Sequence, residues 1–576
     1  METKILRINM TSLTSTIEPV PDNWAYLGGR GLTSTIISEE VPPTCDPLGK
    51  NNKLVFAPGL LSGTAAANCG RLSAGFKSPL TGGIKESSAG GNAALNLVKL
   101  RFKAVIIEGM PQEDKWYSIH INKDGATIKE DAEYIGKGNY EVFRALNEKM
   151  GKKIGALAIG PAGEFKMTAS NISVKDPDGN IRSHGRGGGG AVMGSKRLKY
   201  ITIDDTGATA VTLADPEKFK ENAKNFAKAL ISFPVTGEGL PKYGTNLMVN
   251  IINGAGAFPT KNFRYGQNER AEEISGEHMY DVIVSRNGHP SHGCLNGCIV
   301  KCSQTYNDKD GNYVTSGFEY ETINLMGSNT LINDLDIVAR CDWAMDDIGV
   351  DSIDTAVAIG VAMDADILPW GDGEEAYRLI NEEIRQGTPL GRILGNGAGS
   401  VGKAYGVSRV PVVKNQAISA YDPRTIKGFG VTYATSPMGA DHTAGWAVGP
   451  NLFGIGGRLD PLKNEGQVEK GRHLQIEDAL TDSIGLCHIP CMILSAVPES
   501  YEALVEMINA RYGLNQTIEE YEEMGKAILK TERAFNQGAG FTNVHDRLPE
   551  FFAEPLPPHN VGWDMSNEEL DTFWNF

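Results

Sequence analysis

The sequence predicts an α+β chain in which a β-rich unit, residues 1–208, is followed by two mainly α-helical units, 209–410 and 411–576. Three observations carry that expectation. Up to about residue 208 the apolar runs are short, β-branched or aromatic, and closed by turn residues. Near residue 209 the texture changes, and apolar residues recur at three- and four-residue spacing. A length of 576 residues is enough for several cores of ordinary size.

Taken in order, Lys53–Phe56, Ala104–Ile107, Tyr117–Ile121 and Tyr200–Ile203 read as strands, with turns such as Asp176–Gly179 between them. Phe219, Ala223, Phe226, Ala227 and Leu230 then fall on one helical face, with Thr212 as the expected N-cap. Helices follow around Leu335–Met345, Glu374–Arg385, Tyr501–Tyr512 and Ile518–Phe535. No tandem repeat is visible.

The 55 Lys+Arg and 71 Asp+Glu residues give a net charge of −16, which argues against nucleic acid and anionic membranes as partners. No apolar run is long enough to enter a bilayer as a helix, and the first thirty residues lack a basic-then-apolar leader, so a cytoplasmic location is expected. In that compartment the eight cysteines are thiols or metal ligands. The 68 glycines, about 12% against a usual ~7%, are clustered rather than spread as linkers.

Cys294, Cys298 and Cys302 place three thiols within nine residues. A cubane needs a fourth, which Cys487 or Cys491 could supply; a structural zinc site would more often show two close pairs. The run from His184 to Lys196 holds Arg186-Gly187-Gly188 but neither a strand-led dinucleotide fingerprint nor a P-loop order. Its bare N–H groups beside Arg186 and Lys196 suit phosphate oxygens or simply form a tight turn. Ser87–Asn92, including Gly91, and Gly70–Gly82, including Arg71, are similar. Asp346-x-x-Gly349-x-Asp351 and Asp482-x-x-Gly485-Leu486-Cys487 recur 136 positions apart. Either Gly349 ends a helix, or the two copies serve two similar halves of one ligand.

These residues resemble the aldehyde:ferredoxin oxidoreductase family, tungsten enzymes with a bis-pyranopterin cofactor. The resemblance runs through Gly28–Leu32, GRLSAGFKSPLTG, GGN, AVIIEG, IGPAGE, GRGGGGAVMGSK, the cysteine triplet, GFEYET, DDIGVD, YDPR, GADH and DSIGLC, in order. It implies a β-rich base on which the cofactor lies, covered by two helical domains. It implies that Cys294, Cys298, Cys302 and Cys487 hold one [4Fe–4S] cluster. Asp346, Gly349 and Asp351 would hold one pterin and Asp482, Gly485 and Leu486 the other. Asn92, with neighbouring Gly91, and the loop Arg186-Gly187-Gly188 would sit at a Mg²⁺ ion joining the pterin phosphates, and Arg71 between pterin and cluster. Glu321 and His442 would form the acid–base pair, with Tyr320 beside them. No single residue separates tungsten from molybdenum.

Two features depart from the family pattern. The triplet is C-x3-C-x3-C, one residue longer in its first gap than the archetype. No histidine has a glutamate three positions before it, so a homodimer, which stays open, is expected to lack a Glu-x-x-His bridging iron. The activity implied is oxidation of an aldehyde by water to a carboxylic acid, reversible at low potential. Electrons would pass to ferredoxin or a ferredoxin-like subunit, the latter within reach of a larger NAD-linked complex. The alternatives are the active-site subunit of a benzoyl-CoA-type reductase and a non-catalytic iron–sulfur electron-transfer scaffold.

Overall fold

The computed structural model describes residues 3–576. Its N-terminal part holds twelve strands: β1 (Lys4–Asn9), β2 (Thr14–Pro19), β3 (Leu54–Pro58), β4 (Leu72–Lys77), β5 (Ile84–Ala89), β6 (Phe102–Glu108), β7 (Tyr117–Asn122), β8 (Gly125–Glu130), β9 (Gly155–Ala158), β10 (Ile172–Lys175), β11 (Ile181–His184) and β12 (Leu198–Ile203). They form two mixed six-stranded sheets, ordered β2-β1-β6-β3-β4-β5 and β8-β7-β12-β9-β10-β11. The second order is the first with six added to every number.

The match extends to register. Val105 pairs with Phe56 in one sheet, and Ile201 with Leu157 in the other. The single parallel pairing of each sheet starts from Lys4 against Phe102 and from Tyr117 against Leu198. The connecting helices correspond too. Gly29–Glu40 and Asn139–Met150 follow β2 and β8, while Ala93–Lys99 and Gly189–Ser195 precede β6 and β12. The unit is a duplication that no sequence period betrays.

Strand alternation explains the layering. Leu6, Phe56 and Val105 join Leu157, Ile172 and Ile201 in a core shared by both sheets. Ile5, Val55 and Ile106, one residue out of phase, meet Leu32 and Ile36 of the Gly29–Glu40 helix on the outer face. Val142, Phe143 and Leu146 cover Ala156 and Ala158 in the same way.

Beyond residue 208 helices dominate, as the spacing predicts. The helix Pro216–Ser232 starts later than Thr212, because Asp215 caps Lys218 N at 3.0 Å and Pro216 fills the first helical position. Its Phe226 and Leu230 pack with Leu480, Leu504 and Ile508. A separate core gathers the Leu335–Ile348 and Ser352–Asp364 helices with Phe429 and Val448. Among the described residues no helix is long and apolar enough to cross a membrane.

Each acidic loop is docked by backbone onto one half of the base. Arg71 N, just before β4, donates to Gly485 O at 3.2 Å, and Asn171 N, just before β10, donates to Gly349 O at 2.9 Å. Cys487 N bonds Asn68 O, and Asp351 N bonds Ala169 O, both at 2.9 Å. Gly349 and Gly485 do end helices, in the left-handed conformation. That role and the docking role coexist.

Candidate active site

Two cavities, of about 340 and 320 Å³, share a wall that includes Arg71, Glu319, Glu321, His442 and His488. The first is lined by Glu86, Asp342, Asp346, Asp351 and Asp482 with Arg30, Arg182 and Arg186. Burial drives these carboxyls up. Glu86 reaches about 8, with Asp482 repelling it. Asp351 reaches about 8 against the pull of Arg186, Asp342 about 7, and Asp482 about 6 against Arg30. Asp346 is raised by burial and by Asp342. Glu86 Oε1, Ser183 Oγ and Arg182 Nε are buried without a partner. Unpaired acceptors at Glu86 and Ser183 with an unpaired donor at Arg182 fit a polar ligand that carries both N–H donors and acceptors.

The base places two equivalent residues in this wall. Ser88 pairs with Ser73 across β5 and β4, as Ser183 pairs with Ser173 across β11 and β10. Both Ser88 and Ser183 line the cavity. The sequence reading held Ser88 only within the run Ser87–Asn92 and missed Ser183, whose equivalence to Ser88 the hidden duplication alone could have signalled. The residues expected at a bridging ion are arranged otherwise. Asn92 Oδ1 accepts from Asn296 at 2.7 Å, Gly91 N bonds Cys294 O, and Gly187 O accepts from Ser78 at 2.7 Å. Neither Asn92 nor Gly187 lines either cavity. Gly187 and Gly188 instead allow close approach: a Cβ would stand 2.5 Å from Lys85 or 2.6 Å from Pro79. Arg186 lines the cavity; its Nη atoms bond Asp354, Ala417 O and Ala440 O, while its Nε has no hydrogen-bond partner and lies 3.4 Å from Asp351. Lys196 faces away and bonds Asn52 O and Gly109 O.

The second cavity is lined by Cys294, Cys302 and Cys487 and by Trp446, Phe453 and Leu474. Burial raises the Cys302 thiol, and Cys487, Cys294 and Cys298 add repulsion. Cys294 is pushed to about 11 by burial and then by Cys487. All eight cysteines are free thiols. Gathered thiols whose charged forms repel one another form a donor set that a cation or cluster could use. Cys298 Sγ accepts from Asn68 Nδ2 and Lys301 N, and Arg71 lies 3.9 Å from Cys487 Sγ. Cys491 turns from this group: its thiol donates to Cys487 O and sits with Asp478 and His488, ligand atoms within 4.8 Å.

At the seam, Glu321 Oε1 lies 3.0 Å from His442 Nε2. Glu321 belongs to the first turn of the helix Tyr320–Met326, where the exposed N–H groups favour an anion. Burial raises its carboxyl, but His442 and the Tyr421 hydroxyl outweigh burial and leave it below the ordinary value. His442 Nδ1 is held by Ser419 Oγ at 3.0 Å. Tyr320 is close in sequence but not in function, since its hydroxyl donates to Ala420 O at 2.7 Å. Tyr421, from YDPR, supplies the hydroxyl at Glu321. The sequence quoted that motif without giving it this place.

Comparison with known proteins gives the family. The family model described as aldehyde ferredoxin oxidoreductase, N-terminal domain, matches residues 5–205, and that for its domains 2 and 3 matches residues 221–574. The tungsten-containing aldehyde ferredoxin oxidoreductase of Thermococcus kodakarensis is 35% identical over 575 residues, spanning 96% of this chain and 92% of the relative. An aliphatic sulfonate oxidoreductase, WOR-like subunit, from Pyrococcus furiosus is 26% identical, over 94% and 88%. In fold, the active-site complex BamBC of benzoyl coenzyme A reductase superposes with a TM-score of 0.80 at 20% identity, over 100% of this chain and 94% of that one. On the matched models and the full-length relative, this chain is an oxidoreductase of the aldehyde ferredoxin oxidoreductase family.

Proposed function

We propose that the chain oxidises an aldehyde to a carboxylic acid with water, using a tungsten bis-pyranopterin. Two electrons would then leave one at a time through one [4Fe–4S] cluster to ferredoxin or a ferredoxin-like subunit. The observation that carries the reading is the Glu321–His442–Tyr421 group at the seam between an acid-lined cavity and a thiol-lined one. The residues fit the groups. A base of two register-matched halves, each holding one D-x-x-G loop, suits a ligand of two similar halves. Asp346 and Asp351 would hold one half and Asp482 the other, and Ser88 and Ser183, which line the same cavity, would flank a shared bridging ion. Cys294, Cys298, Cys302 and Cys487 would hold the cluster.

When bound, the tungsten cofactor supplies a two-electron acceptor and a Lewis acid. The chain's own residues do the rest. Water and aldehyde yield a carboxylate, two electrons and three protons. Glu321, ionised below the usual range, takes the first proton at its carboxylate. With Nδ1 fixed by Ser419, His442 presents Nε2 toward Glu321 and the substrate oxygen. Tyr421 keeps the carboxylate oriented. Trp446, Phe453 and Leu474 line an approach suited to an apolar substrate tail.

The test is metal analysis paired with aldehyde-dependent dye reduction. About one tungsten and four irons per chain with turnover is the expected result. Iron without tungsten or molybdenum, in protein from a host that makes the cofactor, would favour the scaffold reading.

A further inference from the structure

Two cysteines leave the segment after Gly485 in different directions. Cys487 Sγ lies 3.9 Å from Arg71 and belongs to the thiol group. Cys491 is turned to Asp478 and His488 instead, and neither the cluster nor the catalytic group uses it. His488-Ile489-Pro490-Cys491 is a turn, in which Cys491 N donates to His488 O at 2.9 Å. Two donor residues with two others between them on a tight turn have the spacing at which short loops chelate a metal. The third donor, Asp478, comes from the helix Gln467–Ile484 that runs into Gly485.

A carboxylate oxygen, an imidazole nitrogen and a thiol sulfur thus lie within 4.8 Å of one another. Asp478 and Cys491 are buried, and His488 is half-buried. Ion pairing accounts for two of the three, since His488 Nδ1 lies 3.3 Å from Asp478 Oδ1. It does not account for the thiol beside them, which donates to a main-chain oxygen, Cys487 O, at 3.4 Å. All three residues line the cavity of about 320 Å³ that also holds Trp446 and Phe453. Three protein donors beside open space leave room for a fourth ligand from solution, the arrangement of an open rather than a closed zinc site.

The donor set selects the ion. Mg²⁺ and Ca²⁺ take oxygen ligands, whereas imidazole and thiolate suit a late first-row divalent cation. With the thiol deprotonated, the carboxylate and thiolate carry two negative charges, which one divalent cation cancels in a buried place.

We propose that Asp478, His488 and Cys491 bind a divalent cation of the zinc class in the cavity wall, apart from the four thiols assigned to the cluster. The ion takes a carboxylate oxygen, a ring nitrogen and Sγ, releases the thiol proton to solvent, and keeps water as its fourth ligand. Ion and water together occupy part of the cavity. On the aldehyde reading above, on which this consequence alone rests, that cavity is the substrate's approach, so zinc acts as a reversible brake on entry.

The test is dialysis of the purified holoprotein against zinc chloride with excess magnesium chloride, followed by zinc and iron counts per chain. About one zinc per chain with iron unchanged is expected, and EDTA should remove it. Cys491→Ala should weaken zinc binding at least tenfold. Asp478→Asn keeps the side-chain shape and should also weaken it, so the result does not hang on one variant folding. Cys45→Ala, at a thiol outside the group, should leave zinc binding as it is. No zinc retained by the wild type, uptake that displaces iron, or undiminished uptake by both Cys491→Ala and Asp478→Asn would overturn the site. In the aldehyde assay zinc should raise KM and leave kcat nearly unchanged. Normal turnover without zinc binding would overturn the site alone, and zinc binding without any turnover would overturn only the aldehyde reading.

Discussion

Glu321 and His442 come from segments 121 positions apart and meet at 3.0 Å, carboxylate oxygen to Nε2. Each is immobilised from behind, Glu321 by the Tyr421 hydroxyl and His442 by Ser419. Glu321→Gln keeps the shape and removes the proton acceptor. Aldehyde turnover is expected to fall by about 10²–10⁴-fold, with tungsten and iron contents unchanged. Retained turnover would take Glu321 out of the chemistry.

The two neighbouring tyrosines should separate cleanly. Tyr421→Phe removes the bond that helps hold Glu321 below its ordinary value, so the acid limb of the kcat/KM profile should move to higher pH. Tyr320→Phe deletes a buried bond to Ala420 O, costing about 1 kcal/mol of stability and leaving the profile in place. Rate–pH curves with denaturant midpoints read both.

For the thiols, Cys298→Ala should release most of the iron, whereas Cys491→Ala should retain it, because Cys491 is turned toward Asp478 and His488. Iron per chain, measured on both variants, decides the ligand set. Equal loss from both would show that the cluster reaches further than the four thiols named.

Asp441 offers a pH test independent of metal. Burial raises its carboxyl, but Lys85 at 3.0 Å and then Arg186 hold it far below the ordinary range. Its folded pKa is thus below the unfolded one, so its stabilisation is complete above the unfolded value, about 4, and is lost as pH falls toward the folded one. Lys85→Met should be markedly less stable than wild type at pH 7, and the gap should narrow below about pH 4. Denaturant titrations at several pH values measure it.

Much of the fold was legible because burial patterns are local. Val105 and Ile107 alternate against Ala104 and Ile106, and Phe219, Ala223, Phe226 and Leu230 repeat at helical spacing. The helix Gly29–Glu40 was not read, since two leading glycines and four β-branched residues in a row or nearly so disguise it. The duplication was hidden because backbone pairing, not side-chain identity, defines it. Glu321 and His442 could be named only through ordered family motifs. Tyr421 at Glu321, and Asn92 turned to Asn296, depend on tertiary placement that no spacing encodes.

The two acidic loops dock alike, yet at matched positions one presents Asp351 and the other Cys487. Hydrogen bonds between main chains do not read side chains, so the frame tolerates that difference. On the proposed reading, the difference sets a direction. A centre seated between two near-equal supports has a thiol-bound relay beside only one of them. Charge then enters or leaves the middle by a single route, and a nearly symmetric cradle carries current along one side only.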